Sequence, residues 1–269
     1  MRPPLEGTVL ITGASAGIGD ALARQLAGRA QRLVVVARRE QRLRDLAREL
    51  TERHPGLEVD VQVCDLGRAE AREALLDHLR AGPPVDVLIN NAGFGDKNLL
   101  EGARWTKLDD MLALNVGALT HLCHHLVPGM VERGRGGVLN VSSGYGLTWT
   151  PGLAVYIGTK HYVTGFTESL RAEVAPRGVV VSQVCPGPVL TEFNDHTENT
   201  VGLKTPGRVA ISAEQCAAEA LAAFERGRAL TVPGFYMRNL LRLHGVMPRW
   251  AWRRLASRMA GSMREAAGR

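Results

Sequence analysis

Thr12-Gly13-Ala14-Ser15-Ala16-Gly17-Ile18-Gly19 follows the apolar run Thr8-Val9-Leu10-Ile11-Thr12 and leads into the helical pattern GIGDALARQLAG at 17 to 28. This passage decides the fold. A strand, a glycine turn and a helix amino terminus together form an anion site: glycines let backbone approach a pyrophosphate, and the unpaired N–H groups of the first helical turn bind it. With 30 glycines in the chain the pattern alone would say little, but its place between strand and helix marks a dinucleotide site.

Outward from that turn, short β-branched runs alternate with longer helical patterns. The runs are RLVVVA (32 to 37), LEVDVQVC (57 to 64), VDVLIN (85 to 90), GVLNVSS (137 to 143) and VVVSQVC (179 to 185), with a short ALTVP (229 to 233) as a seventh. Between them, EQRLRDLARELTER, RAEAREALLDHLR, VYIGTKHYVTGFTESLRAEVA and a helix at about 213 to 226 repeat apolar residues every three or four positions. The alternation predicts α/β architecture: a Rossmann-like, doubly wound parallel sheet of about seven strands. Residues 1 to 235 form a single catalytic domain on this reading, and 236 to 269 a basic helical carboxyl-terminal extension. The polar stretch 188 to 211 is long for a connection and is expected to be a substrate loop.

At 269 residues, with 45% apolar and 22% charged composition, the chain buries a substantial core within one globular unit. Cys64, Cys123, Cys185 and Cys216 lack the short spacing of a zinc site or redox dithiol, so reduced thiols in a reducing compartment are expected. The five-residue apolar run before Gly13 is too short for a signal peptide, and no later run approaches the roughly 20 residues of a spanning helix. A cytoplasmic protein follows, or one resting on a membrane surface. Of the net charge of +6, residues 226 to 269 carry +9, from ten arginines against Glu265, which leaves the rest at −3. Such a tail suits anionic lipid, an acidic partner or a phosphorylated substrate, and Arg-rich coding bias or simple solubility at least as well. No nucleic-acid partner is expected.

The second strand ends at Ala37-Arg38-Arg39, where a dinucleotide fold selective for NAD places an acid on the ribose hydroxyls. An arginine fork matches a 2′-phosphate instead, so Arg38, with Arg39 as its neighbour, predicts NADP(H).

Seven motifs now stand in order. They are the glycine turn at 12 to 19, Asp65-Leu66, Asn90-Asn91-Ala92-Gly93, Asn115, Ser143, Tyr156 with Lys160, and Pro186-Gly187 through Val189 and Thr191. Over roughly residues 6 to 235 the chain resembles the short-chain dehydrogenase/reductase family in its single-domain branch. The resemblance implies a ketone/alcohol oxidoreductase with Asn115, Ser143, Tyr156 and Lys160 as its catalytic set. It also implies cofactor contacts from Gly13, Ser15, Gly17, Ile18, Gly19, Asp65, Leu66, Asn91, Ala92, Gly93, Pro186, Gly187, Val189 and Thr191, besides Tyr156 and Lys160, to which the charge argument adds Arg38. No metal is implied, and a homo-oligomer is.

The chemistry explains the residue types. Tyr156 and Lys160 lie four apart, one helical turn from each other. A free phenol titrates near 10, and an adjacent ammonium favours the phenolate, so the pair predicts a proton donor or acceptor. By the resemblance, Lys160 also binds the nicotinamide ribose, Ser143 orients the carbonyl, and Asn115, mid-helix, holds a water in a proton relay. Ser143 lies thirteen residues before Tyr156, the family spacing, and the neighbouring Ser142 should point to the opposite face.

His121 and His125 have the i, i+4 spacing of a zinc pair, but no Glu occupies the HExxH position and no third ligand is evident. A structural or interface role is expected. Gly144-Tyr145-Gly146, Leu147 and Trp149, with Phe94 and Phe193, are expected to wall an apolar pocket, although core packing suits Trp149 equally well. The segment FYMRNLLRLHGVMPRWAWRRLASRMAG is basic, helical in spacing and broken at Pro248, as suits a cap on the substrate site, a dimer contact or a membrane-surface helix. The expected substrate is a moderately bulky apolar ketone or 3-oxoacyl compound, or the matching alcohol. The competing reading is an NADP(H)-binding regulatory or membrane-surface protein with little turnover. A sensor needs no phenol beside an ammonium, which argues against it.

Overall fold

The computed structural model describes residues 2–194, 197–203, 207–266 and 268. From β1 (Thr8–Thr12) the chain runs through α1 (Gly17–Leu26) to β2 (Arg32–Ala37), then through α2 (Glu40–Arg53) to β3 (Glu58–Val63), each strand parallel to the last. Next, α3 (Ala69–Ala81) returns it across the sheet to β4 (Val87–Asn90), which pairs on the free side of β1. Beyond lie β5 (Gly136–Val141), reached from β4 through α4 (Trp105–Leu112) and α5 (Leu119–Glu132), and β6 (Val179–Val184), reached through α6 (Ala154–Val174). A short last strand pairs with β6 after α7 (Ala213–Glu225) and completes the order β3-β2-β1-β4-β5-β6-β9, the last being Leu230–Thr231. The seven-stranded parallel sheet is the expected one.

The reversal between β1 and β4 opens a crevice at their carboxyl ends, the place where such sheets bind ligands. Helices α1, α2 and α7 cover one face, with Leu22, Leu26, Leu43, Leu50 and Phe224 in its core, and α3, α5 and α6 cover the other through Leu76, Leu122, Met130 and Val163. Coverage on both faces explains why the central strands are continuous apolar runs. As an edge strand, β3 is only half-buried.

The helix expected around Asn115 is not uniformly α-helical. Residues Ala113–Ala118 between α4 and α5 form a π-helical stretch, a local widening that frequently accompanies functional sites. Its cause is visible: the Asn115 side chain is tied to the backbone of Phe94 in the facing loop.

The stretch 188 to 211 is more ordered than a simple loop. Its β7 (Val189–Leu190) and β8 (Ile211–Ser212) pair in parallel, and Asn199 bridges to Lys97. Residues 195, 196 and 204 to 206 of that expected loop lie outside the described residues. The extension forms α8 (Phe235–Val246) and α9 (Arg249–Ala266), broken at Pro248 as the sequence predicts.

Candidate active site

On the cofactor side, Gly13 and Gly17 take positive φ of 69° and 60°. A side chain at Gly13 would also collide with Ala92. Gly19 is conformationally ordinary, yet an added Cβ would lie 2.3 Å from the Gly13 carbonyl oxygen. Thr12 and Asn91 stitch the two strand ends together: the Thr12 hydroxyl accepts from Asn91 N at 2.9 Å and Ala92 N at 3.0 Å, and Asn91 Nδ2 donates to the carbonyl of Thr12 at 2.9 Å. Ala16 gives α1 no side-chain cap, so the first-turn amides meet no acceptor from that residue. An uncapped helix start above a cradle of glycines fits a dinucleotide phosphate. Thr191 lies against Gly17, and Gly187 and Val189 are half-buried along the approach from β6. Ser15 and Ile18 are half-buried in the turn, Leu66 is buried, and Asp65 is exposed and accepts from Gly67 N.

The two arginines differ. Arg38 is exposed and, among the described residues, forms no hydrogen bond or ion pair. Arg39 donates to the Ser15 hydroxyl at 3.1 Å and pairs with Glu192 at 2.7 Å, while Arg42 pairs with the other Glu192 oxygen at 2.6 Å. The two guanidiniums hold the Glu192 carboxyl down at about 2. Ser15, Gly17, Arg42 and Glu192 border a cavity of about 340 Å³. Glu192 was not anticipated: an acid in a polar loop gives no signal until folding brings it to α2.

On the catalytic side, Ser142 and Ser143 divide as strand alternation predicts. Ser142 turns into α6, donating to the carbonyl of Lys160 at 3.1 Å and meeting the Thr164 hydroxyl at 3.0 Å. Ser143 points the other way, capping the turn Gly144–Gly146 by accepting from Tyr145 N, and interacts with Tyr156. Asn115 accepts from Phe94 N at 3.1 Å, donates to Phe94 O at 2.9 Å and donates to the Thr159 hydroxyl at 3.1 Å, which in turn donates to the carbonyl of Tyr156 at 2.7 Å. Sequence reasoning missed Thr159, which links Asn115 to the turn of α6 that carries Tyr156. Lys160 Nζ donates to the carbonyl of Val141 at 3.0 Å and lies 5.8 Å from the centre of the Tyr156 ring.

One expectation is corrected. The phenol is not lowered in this arrangement: burial pushes Tyr156 up to about 12, against a smaller opposing effect of the Ser143 hydroxyl. Burial likewise brings Lys160 down to about 8. At pH 7 the phenol is therefore held neutral, whereas Lys160 still carries its charge.

The walls are apolar. Tyr156 packs with Leu108, Met111, Leu153 and Ile157, and Phe94, Tyr145 and Trp149 lie against that cluster. The Phe193 ring is 6.1 Å from that of Tyr156. Trp149 also stacks edge-on with Trp252 of α9, whose indole donates to the Trp149 carbonyl, so it serves pocket and core together. The inward side of α8 adds Met237 against Gly187, Leu241 near Gly144, and His244 at 2.8 Å from the Thr148 hydroxyl.

Beside the histidine pair the fold brings a residue that the sequence did not point to: Glu73 of α3 lies 3.1 Å from His121, and ligand-type atoms of Glu73, His121 and His125 fall within 4.8 Å of one another. The Arg80 guanidinium, 3.4 Å from His125 Nδ1, sets a positive charge beside this group.

Three comparisons extend these observations. The short chain dehydrogenase family profile matches residues 7–202. A very-long-chain 3-oxoacyl-CoA reductase of Anas platyrhynchos is 33% identical over 213 residues, 77% of this chain and 67% of the relative. Among solved structures, a short-chain dehydrogenase from Sphingobium yanoikuyae in complex with NADPH is similar at TM-score 0.78 and 29% identity, covering 96% of this chain and 95% of that one. The bulky-bulky ketone specific alcohol dehydrogenase from Comamonas testosteroni is similar at TM-score 0.75 and 28% identity, covering 96% and 94%. With the parallel sheet, the glycine turn and the buried tyrosine in place, the chain belongs to the short-chain dehydrogenase family and is an oxidoreductase of alcohol and ketone groups.

Proposed function

We propose that this protein is an NADP(H)-dependent reductase of moderately bulky, apolar ketones or 3-oxoacyl compounds, with Tyr156 as the proton donor. The carrying observation is Tyr156 itself: its phenol is enclosed by apolar side chains, faces the Ser143 hydroxyl and is kept protonated far above neutrality. A protonated phenol is the form that reduction needs, since the carbonyl oxygen gains a proton as the carbon gains a hydride. The nicotinamide supplies that hydride. Ser143 orients the carbonyl oxygen, and Lys160 holds the ribose side of the site. Asn115, through Thr159, steadies the turn that carries Tyr156 and joins a water-borne relay to Lys160. The apolar lining, with Phe94, Trp149, Phe193, Met237 and Leu241, favours substrates with substantial hydrocarbon, as do the ketone and acyl substrates named for the relatives.

The preference for NADP(H) rests on Arg38, whose guanidinium is exposed and uncommitted beside the turn, and on the absence of an acid at the end of β2. Assembly with further copies of the chain belongs to the same proposal. So does residence in the cytoplasm, which the four free, buried cysteines favour, and surface contact with a membrane through residues 236 to 269. No helix among the described residues is long and apolar enough to cross a membrane.

One experiment tests the core of this reading. NADPH and NADH are titrated by fluorescence quenching, and turnover of a water-soluble aromatic ketone is followed for the original protein and Tyr156→Phe. Tyr156→Phe should lose at least about a thousandfold in kcat with NADPH affinity within a few-fold of the original. Turnover near the original level in the variant would sink the assignment, and equal affinities for the two cofactors would remove NADP(H) while leaving the chemistry intact.

A further inference from the structure

The two sides of α8 are both apolar, and only one of them has a partner. Met237, Leu241 and His244 face the site, against Gly187, Gly144 and Thr148. The opposite side carries Phe235, Tyr236, Leu240, Leu243 and Val246, exposed by 53 to 77%, and Trp250 at the start of α9 continues it at 63%. At 3.6 residues per turn the five residues of α8 share an arc of about 140°. Scattered exposed apolar residues need no explanation, but five large ones in a single arc, with Asn239 among them, mark an interface.

Charge identifies what covers it. Arg242, Arg249, Arg253 and Arg258 are exposed on the same two helices and, among the described residues, pair with no acid. Arg254 lies over the Trp250 ring at 5.4 Å. A second copy meeting this face through the same surface would set one +9 segment against another. An apolar, aromatic-bearing face on helices that also carry these exposed, acid-free arginines matches an anionic bilayer, whose headgroups meet the arginines while the rings enter the acyl boundary.

We propose that the outer face of α8, with the start of α9, docks on anionic membranes and sets the mouth of the substrate site at the lipid surface. Met237 and Leu241 then form a thin apolar partition between bilayer and site, and the substrates delivered are lipophilic carbonyl compounds dissolved in the membrane. The substrate half of this inference rests on the proposed ketone reductase activity; the docking half does not. Helix α8 is held in place from below: Arg238 pairs with Glu219 of α7 at 2.9 Å, and Glu219 also accepts from Gly234 N at the start of the helix. The outer side chains can therefore be changed without releasing the inner ones.

The test uses the full chain and vesicles of phosphatidylcholine, with or without phosphatidylglycerol. Co-sedimentation is measured for the original protein, for Phe235→Ser/Leu243→Ser/Trp250→Ser, and for Arg242→Glu/Arg253→Glu. The original protein should bind the anionic vesicles at least tenfold more tightly than the neutral ones. Both variants should lose that preference while reducing a water-soluble ketone as before. With a lipophilic ketone carried in the vesicles, the original protein should show a KM at least fivefold lower than either variant, at similar kcat. Three results would overturn the docking: no sedimentation of the original protein, equal sedimentation of all three proteins, or a dimer of the original protein that the serine variant converts to monomer. Vesicle binding without turnover of any ketone would keep the docking and reject the reductase reading, so the two fail separately.

Discussion

The glycine turn after β1 and the α8–α9 cover flank the same crevice but are built on opposite principles. In the turn, backbone fits against backbone: the space beside Gly19 is already taken by the Gly13 carbonyl oxygen at 2.3 Å and the Asn91 amide at 2.5 Å. In the cover, Gly245 and Gly261 meet nothing within 4 Å, and large apolar side chains face solvent. The first region has one solution, fixed by excluded volume and by the amides it must present to an anion. The second has an inner surface fixed by the pocket and an outer one that only a partner would constrain. Identical residue types therefore carry different information in the two places.

The largest test of that contrast is Gly19→Ala. The new methyl must displace backbone rather than a flexible side-chain end, so the substitution should cost about 3 kcal/mol or more and disrupt the cofactor turn, visible as a fall in Tm with loss of NADPH binding. A Tm within a degree or two of the original would show that the turn relaxes far more readily than its contacts imply.

Lys160 tests the crevice between the two regions. Burial lowers its folded value to about 8 from an ordinary 10.5, so below pH 8 the buried ammonium destabilises the fold, by about 3 kcal/mol. Between pH 8 and 10.5 the folded state has released the proton while the unfolded state still holds it, so this penalty disappears as pH rises. Lys160→Met should therefore raise the unliganded protein's stability at pH 7 by about that amount, with the advantage shrinking toward pH 10. Urea melts of both proteins at pH 7, 8.5 and 10 give the comparison, and a difference that stays constant with pH would mean that the ammonium is solvated in the fold.

The smallest effect belongs to the cover. Gly261→Ala, in an exposed position of α9, should stabilise by about 0.5 to 1 kcal/mol because alanine loses less conformational freedom in a helix. A destabilised variant would reveal a close neighbour of α9 that the isolated chain lacks.

Local chemistry made much of this protein readable in its sequence. The strand–turn–helix signature, the parallel sheet of seven strands, the helix break at Pro248 and the opposite headings of Ser142 and Ser143 all follow from short-range rules: apolar periodicity, the missing N–H of proline, the alternation of a strand. Tertiary structure alone decided what depends on distant segments meeting. It widened the helix around Asn115 by tying that side chain to Phe94, and linked Asn115 through Thr159 to the turn that holds Tyr156. It brought Glu192 to Arg39 and Arg42, and Glu73 to His121, across separations in sequence that no spacing rule spans. It also decided the direction in which Tyr156 shifts: sequence spacing can place a phenol and an ammonium a helical turn apart, but the desolvation that raises the phenol is set by everything folded around it.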